Sequence, residues 1–89
     1  MKNRDKDMEL LLAKVLHEFS YELDVHYEND MMGIMAAEDD TFRVFRRALE
    51  ELRRRRVKVS RRVWHVQRRI EDSYRDALGE ELPPLESNN

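Results

Sequence analysis

The chain of 89 residues contains no cysteine, only two glycines and two prolines, and few aromatic residues. The absence of cysteine excludes a disulfide scaffold, and the scarcity of glycine excludes a collagen-like chain and a glycine-rich phosphate loop. No apolar run approaches the ~18 residues that a membrane span requires, and the charged N-terminus does not resemble a signal peptide. We therefore expect one small cytoplasmic domain that does not associate with membranes.

Charge is abundant but unevenly distributed along the chain. Charged residues make up 40 % of the sequence, and the net charge is only −2. Residues 1–42 hold four basic and eleven acidic groups, residues 43–69 hold twelve basic and two acidic groups, and residues 70–89 hold one basic and six acidic groups. Such blocks predict either internal pairing of acid with base or a basic surface for an anionic partner.

The fold class predicted from these residues is all-α. Helix-breaking residues are scarce, and apolar residues recur at spacings of three and four. We expect a single domain over residues 1–79 that forms a small three-helix bundle. The predicted helices cover residues 7–28, 41–56 and 60–78, and a short fourth helix could form at 30–38. Residues 80–89 are predicted to be a disordered tail, with a loosely docked tail as the alternative.

Capping residues and apolar stripes support these helices. The predicted caps are Asp7, one of Asp39, Asp40 and Thr41, Ser60, and Gly79 at the C-terminal end of the last helix. The first helix has a predicted buried stripe of Met8, Leu11, Leu12, Val15, Leu16, Phe19, Leu23 and Tyr27, with Lys14, Glu18, Asp24 and Glu28 on its polar face. The second stripe comprises Phe42, Phe45, Ala48, Leu49 and Leu52, and the third comprises Val63, Val66, Ile70, Tyr74 and Ala77.

The segment from Val57 to Ser60 is the predicted break between the last two helices. Two β-branched residues lower helix propensity there, and Ser60 is a favourable cap for the helix that follows. The alternative is one continuous helix from Thr41 to Leu78, which would favour an oligomer because a single long helix cannot bury its own stripe.

The basic face of the last two helices is the candidate functional site. Advancing by about 100° per residue groups the basic side chains of the last helix opposite its apolar stripe. Arginine contacts phosphates and can also read guanine edges. The predicted nucleic-acid-binding residues are Arg43, Arg47, Arg54, Arg61, Arg62, His65, Arg68 and Arg69. The alternative is a solvated face in which Asp72 and Asp76 pair with Arg68 and Arg75.

No catalytic, metal or cofactor site is predicted. Glu18, Glu22 and His26 follow one another at four-residue spacing beside His17, but no second set of ligands accompanies them. Ser20, Ser60, Ser73 and Thr41 have no identifiable activating partner. Trp64 lies beside the basic face, where it could either stack on a base or form part of the core.

Two functions of different classes follow from these observations. The first is a small non-enzymatic regulator that binds DNA or RNA through its arginine-rich helical face. The second is a helical protein-interaction module, such as an adaptor or an inhibitor of a larger machine, that recognises an acidic protein surface. Self-association as a homodimer, in which opposite charge blocks pair, is a variant of the second function.

Overall fold

A computed structural model describes residues 5–26 and 39–85 of the chain, and these residues form three α-helices with no strand among them. Helix α1 covers Lys6–His26, α2 covers Asp40–Arg54, and α3 covers Arg61–Leu78. The all-α prediction is confirmed. The possible helix at 30–38 and the predicted end of the first helix at residue 28 lie outside the described residues. None of the described helices is long and apolar enough to cross a membrane.

Helix α1 begins one residue earlier than predicted and has a different cap. The Asp5 carboxylate accepts a hydrogen bond of 3.1 Å from the backbone N–H of Met8, and the Asp5 carbonyl accepts one from Glu9. The prediction of Asp7 as the cap is therefore wrong. Asp7 instead lies in the first turn, where its negative charge interacts favourably with the positive end of the helix dipole.

Helix α2 begins at one of its three predicted caps, because the Asp39 side chain accepts a 2.7 Å hydrogen bond from the N–H of Thr41. It ends in a Schellman motif. The N–H of Arg56 donates to the carbonyl of Arg53 at 3.0 Å, and the N–H of Val57 donates to the carbonyl of Leu52 at 2.9 Å. Arg56 has φ 61°, a left-handed conformation that glycine usually occupies at this position.

The chain does break between α2 and α3, so the alternative of one continuous helix is wrong. Residues 57–60 are not helical, and Val57 and Val59 pack against the core. Ser60 occupies the cap position of α3, but its hydroxyl lies 2.7 Å from Nδ1 of His17 and makes no capping bond. Helix α3 ends as predicted at Gly79, whose φ of 74° is left-handed.

The core forms where α1 packs against both α2 and α3. Most of the predicted stripes of α2 and α3 are confirmed, although Ala48 is only partly buried and Ala77 is exposed. Phe19 of α1 contacts Phe45 of α2 with their ring centroids 6.2 Å apart. The buried apolar side chains are Leu16 and Leu23 of α1, Phe42, Phe45, Leu49 and Leu52 of α2, and Val63, Val66, Ile70 and Tyr74 of α3.

The stripe predicted for α1 is only half buried. Met8, Leu11 and Val15 are each more than half exposed, while Glu9 is only 6 % exposed and Ser20 is fully buried. The predicted stripe spans about 160° of the helix, and α1 packs with the side that carries Leu16 and Leu23. Glu9 tolerates burial because Nη1 of Arg55 lies 3.3 Å from its carboxylate.

The segment after Gly79 contacts the helices over its described part, residues 80–85. Leu82 packs against the core, and the Arg46 guanidinium donates a 2.6 Å hydrogen bond to the carbonyl of Pro83. Leu82 and Pro84 also line a cleft with Trp64 and Gln67 of α3. The last four residues of the predicted tail lie outside the described part of the chain.

The left-handed conformation of Arg56 leads to a stability prediction. In a left-handed residue the contact between Cβ and the backbone costs roughly 1–2 kcal/mol, and Arg56→Gly removes it. The glycine also increases the conformational entropy of the unfolded chain, which offsets part of this gain. We expect a net increase of about 0.5–1 kcal/mol in the free energy of unfolding, measured by urea denaturation. The control Arg43→Gly, inside α2, should instead lower it by about 1 kcal/mol. A loss of stability in Arg56→Gly would contradict the assignment of this helix end.

Candidate nucleic-acid interface

Three of the predicted site residues on α3 surround one carboxylate of α1. Arg69 donates a hydrogen bond to the Asp24 carboxylate and another of 3.3 Å to the Asp24 carbonyl. Nη1 of Arg62 lies 3.7 Å, and Nε2 of His65 3.9 Å, from the carboxylate oxygens of Asp24. The Arg62 guanidinium also lies 4.9 Å from the ring centroid of Tyr21. These residues join α1 to α3, so Asp24, which was predicted on the polar face of α1, pairs with side chains of α3.

Two predicted site residues on α2 form ion pairs within their own helix. Arg43 lies 2.8 Å from the carboxylate of Asp40, and Arg54 lies 2.6 Å from the carboxylate of Glu51. Both pairs are at the surface, where such contacts contribute about 0–1 kcal/mol. Arg47 is partly buried and already takes part in an interaction. These three arginines therefore do not form a continuous surface of unpaired cations.

Four exposed cations with no acidic partner among the described residues lie at the junction of α2 and α3 and along α3. They comprise Arg56, Lys58, Arg61 and Arg68, which we call the open cations. All four side chains are exposed, and no carboxylate among the described residues forms an ion pair with any of them. Arg61 and Arg68 lie within about 20° of each other around the axis of α3.

The predicted pairing of Arg68 with Asp72 does not form. The Asp72 carboxylate instead accepts a 2.7 Å hydrogen bond from Arg75, three residues later in the same helix. Arg75 also lies 3.7 Å from Glu81. Asp72 and Glu81 therefore pair with Arg75, and Arg68 keeps no acidic partner among the described residues.

Trp64 lies on α3 between Arg61 and Arg68, at helical spacings of three and four, so the three side chains share one face. It is 41 % exposed, and the Arg53 guanidinium lies 5.8 Å from its ring centroid. This contact joins the end of α2 to the outer face of α3. Trp64 is therefore neither a fully buried core residue nor an isolated exposed aromatic residue.

The first turn of α3 adds to the positive character of this region. It contains no acidic residue and begins with Arg61 and Arg62. Their charges add to the partial positive charge that the N-terminal end of a helix already carries. Ser60 does not cap the backbone N–H groups of this turn, because its hydroxyl pairs with His17. Both features make the local electrostatic potential more positive and so favour the binding of an anion.

Sequence reasoning did not assign Arg53, Arg56 or Lys58 to the site. Arg56 and Lys58 lie between two helices, so no neighbouring helical turn supplies an acidic residue three or four positions away. The position of a basic residue in a predicted helix break, or at the residue just before it, is the signal that could have identified them. The contact of Arg53 with Trp64 depends on how the two helices pack and has no signature in the sequence.

Comparison with protein-family models, with curated proteins and with solved structures finds no match to this chain. Among residues 5–26 and 39–85, no group of three His, Asp or Glu side chains is arranged to hold a metal ion. The side chain of His26, one of the residues considered at four-residue spacing on α1, lies outside the described part of the chain.

Glu51 provides a prediction about pH. Hydrogen bonds from Arg54 and then Arg55 lower the pKa of its carboxyl group from 4.5 to about 2. Because the folded-state pKa is lowered, the stabilisation is fully present above about pH 4.5 and is lost as the pH falls towards 2. We expect an NMR titration of the Glu51 carboxyl carbon to show a midpoint near 2, and the double variant Arg54→Gln/Arg55→Gln to move it towards 4.5. A midpoint near 4.5 in the unmodified protein would show that these pairs do not form.

Proposed function

We propose that the protein is a small non-enzymatic regulator that binds nucleic acid through the arginine-rich surface of α3 and of its junction with α2. The contacts would come from the open cations Arg56, Lys58, Arg61 and Arg68, together with Trp64. Of the eight residues predicted from the sequence, the proposal keeps Arg61 and Arg68 as phosphate contacts. It assigns Arg62, His65 and Arg69 to the α1–α3 contact.

The observation that carries the proposal is the exposure of four cations with no acidic partner among the described residues. A paired arginine must give up its carboxylate before it can bind a phosphate, whereas an open cation does not. Binding then gains from the release of counterions that the nucleic acid had condensed. The overall charge of −2 does not prevent this, because a local positive field governs the approach of an anion.

The conformation of Arg56 gives independent support. A residue with a side chain in the left-handed region costs about 1 kcal/mol or more, and glycine would avoid that cost. The protein carries a long cationic side chain there, directly before the loop that holds Lys58. A function for the charge of Arg56 accounts for a residue that the local backbone disfavours.

Trp64 supplies a flat surface for a base. Aromatic stacking contributes about 1–3 kcal/mol per base in proteins that bind single strands, and arginine adds to it through cation–π contacts. Trp64 is partly exposed between Arg61 and Arg68, with Arg53 at the ring. A strand whose phosphates contact the two arginines would therefore pass beside an available aromatic ring.

The second candidate is a helical protein-interaction module. The supporting observation is the exposed apolar surface of α1, where Met8, Leu11 and Val15 are each more than half exposed. A partner protein would cover apolar surface on α1, whereas nucleic acid would contact cations on α3. The two candidates therefore differ in which helix is protected on binding.

The test is a salt-dependent anisotropy titration with labelled duplex DNA and structured RNA between about 50 and 200 mM salt. The slope of log K against log salt should be negative, by about 0.9 for each phosphate contact on duplex DNA. In Arg61→Gln/Arg68→Gln the slope should become shallower by about 1.8, because two contacts are lost.

The matched control is Lys6→Gln/Arg43→Gln, which removes the same charge from exposed positions on α1 and α2. It should leave the slope unchanged. No binding at 50 mM salt would overturn the proposal. Equal losses in both double variants would mean that total charge matters and that the surface of α3 has no special role.

A further inference from the structure

Helix α1 exposes apolar side chains on successive turns of one face. Met8, Leu11 and Val15 are 57 %, 52 % and 51 % exposed, and the partly buried Leu12 and Phe19 continue the same face towards the core. We call these five residues the α1 apolar face. Isolated exposed apolar residues are ordinary on a protein surface, but a contiguous row usually marks a site of interaction.

A shallow groove runs beside this face, between the first half of α1 and the end of α2. Leu12 and Leu52 lie in it together with Met8, Leu11 and Val15, and Glu51 and Arg55 are at its edge. Apolar side chains of a partner helix could pack against this surface at ordinary contact distances. The shape therefore suits a helix that lies along α1.

The charges beside the α1 apolar face favour one particular helix. Lys14 and Glu18 are exposed along one edge of the face, next to Val15 and Phe19. No carboxylate or cation among the described residues forms an ion pair with either of them. If a second copy of α1 packs in the antiparallel direction, each Lys14 lies opposite the Glu18 of the other copy. In the parallel direction the two-fold axis would place these edges on opposite sides of the interface, and the pairs could not form.

We propose that the α1 apolar face is the interface of a homodimer in which two α1 helices pack antiparallel about a two-fold axis near Val15. The interface buries Met8, Leu11 and Val15 of both copies. Reciprocal pairs between Lys14 and Glu18 fix the direction of packing. This inference is independent of nucleic-acid binding, because α3 supplies that surface.

The first experiment measures the extent of dimerisation by sedimentation velocity between about 5 and 500 µM protein. Val15→Glu places two charges in the interface and should weaken the dimer at least about 100-fold, because a buried unpaired charge is strongly unfavourable. The matched control is Val44→Glu on α2, since Val44 is also an exposed valine, at 56 %. Val44→Glu should dimerise like the unmodified protein, and both variants should keep their helical circular dichroism.

The second experiment tests the direction of packing by charge exchange. Lys14→Glu and Glu18→Lys should each weaken the dimer by about 3–10-fold, because two weak exposed ion pairs are replaced by two repulsive contacts. The double variant Lys14→Glu/Glu18→Lys should restore the dimer, because the reciprocal pairs form again with their signs exchanged.

Three results would overturn the proposal. The unmodified protein could remain a monomer at 500 µM, or its dimer could be unaffected by Val15→Glu, which would place the interface elsewhere. The double exchange could also fail to restore a dimer that each single change weakens, which would exclude the antiparallel arrangement.

Discussion

The ion pairs around Asp24 determine which arginines of α3 face the solvent. One carboxylate on α1 binds Arg69 and lies close to Arg62, so these two arginines point towards α1. Arg61 and Arg68 precede them by one residue each and are therefore rotated by about 100° around the helix. A single contact between two helices thus separates the basic residues of α3 into a structural set and an exposed set. The proposed nucleic-acid surface depends on this separation.

The two ends of the link between α2 and α3 have different consequences. At the end of α2, Arg56 adopts a conformation that suits glycine, and the helix stops there. At the start of α3, Ser60 bonds to His17 of α1 and leaves the first turn without a side-chain cap. The loop that separates two core helices therefore also holds two exposed cations, Arg56 and Lys58, next to a helix start that no side chain caps.

The sequence predicted α2 and α3 well because each has one narrow apolar stripe, and residues such as Phe45 and Ile70 can then face only one way. It did not predict the rotation of α1. That helix carries a stripe about 160° wide, and packing alone selects the half with Leu16 and Leu23.

The sequence also could not predict which acidic and basic residues form ion pairs. Asp72 has Arg68 and Arg75 at helical spacing, and only the side-chain geometry shows that Arg75 is its partner. The cations of the helix break were identifiable in principle, since residues outside a helix lack partners in neighbouring turns.

The two surfaces proposed for this protein lie on different helices, so both could be used at once. A dimer through α1 would carry two copies of the cationic surface of α3. Two linked sites bind one nucleic acid more tightly than a single site when the spacing allows both to engage. Self-association would then set the strength of nucleic-acid binding through the concentration of the protein.

The measurement that tests the central claim most directly is a map of amide chemical shifts of the labelled protein during a titration with nucleic acid at about 50 mM salt. The account predicts the largest changes at Arg56, Lys58, Arg61 and Arg68 and at the indole N–H of Trp64. The amides of Asp24 and Leu11 should change little. Changes concentrated on α1, or no changes at all with nucleic acid in excess, would contradict the account.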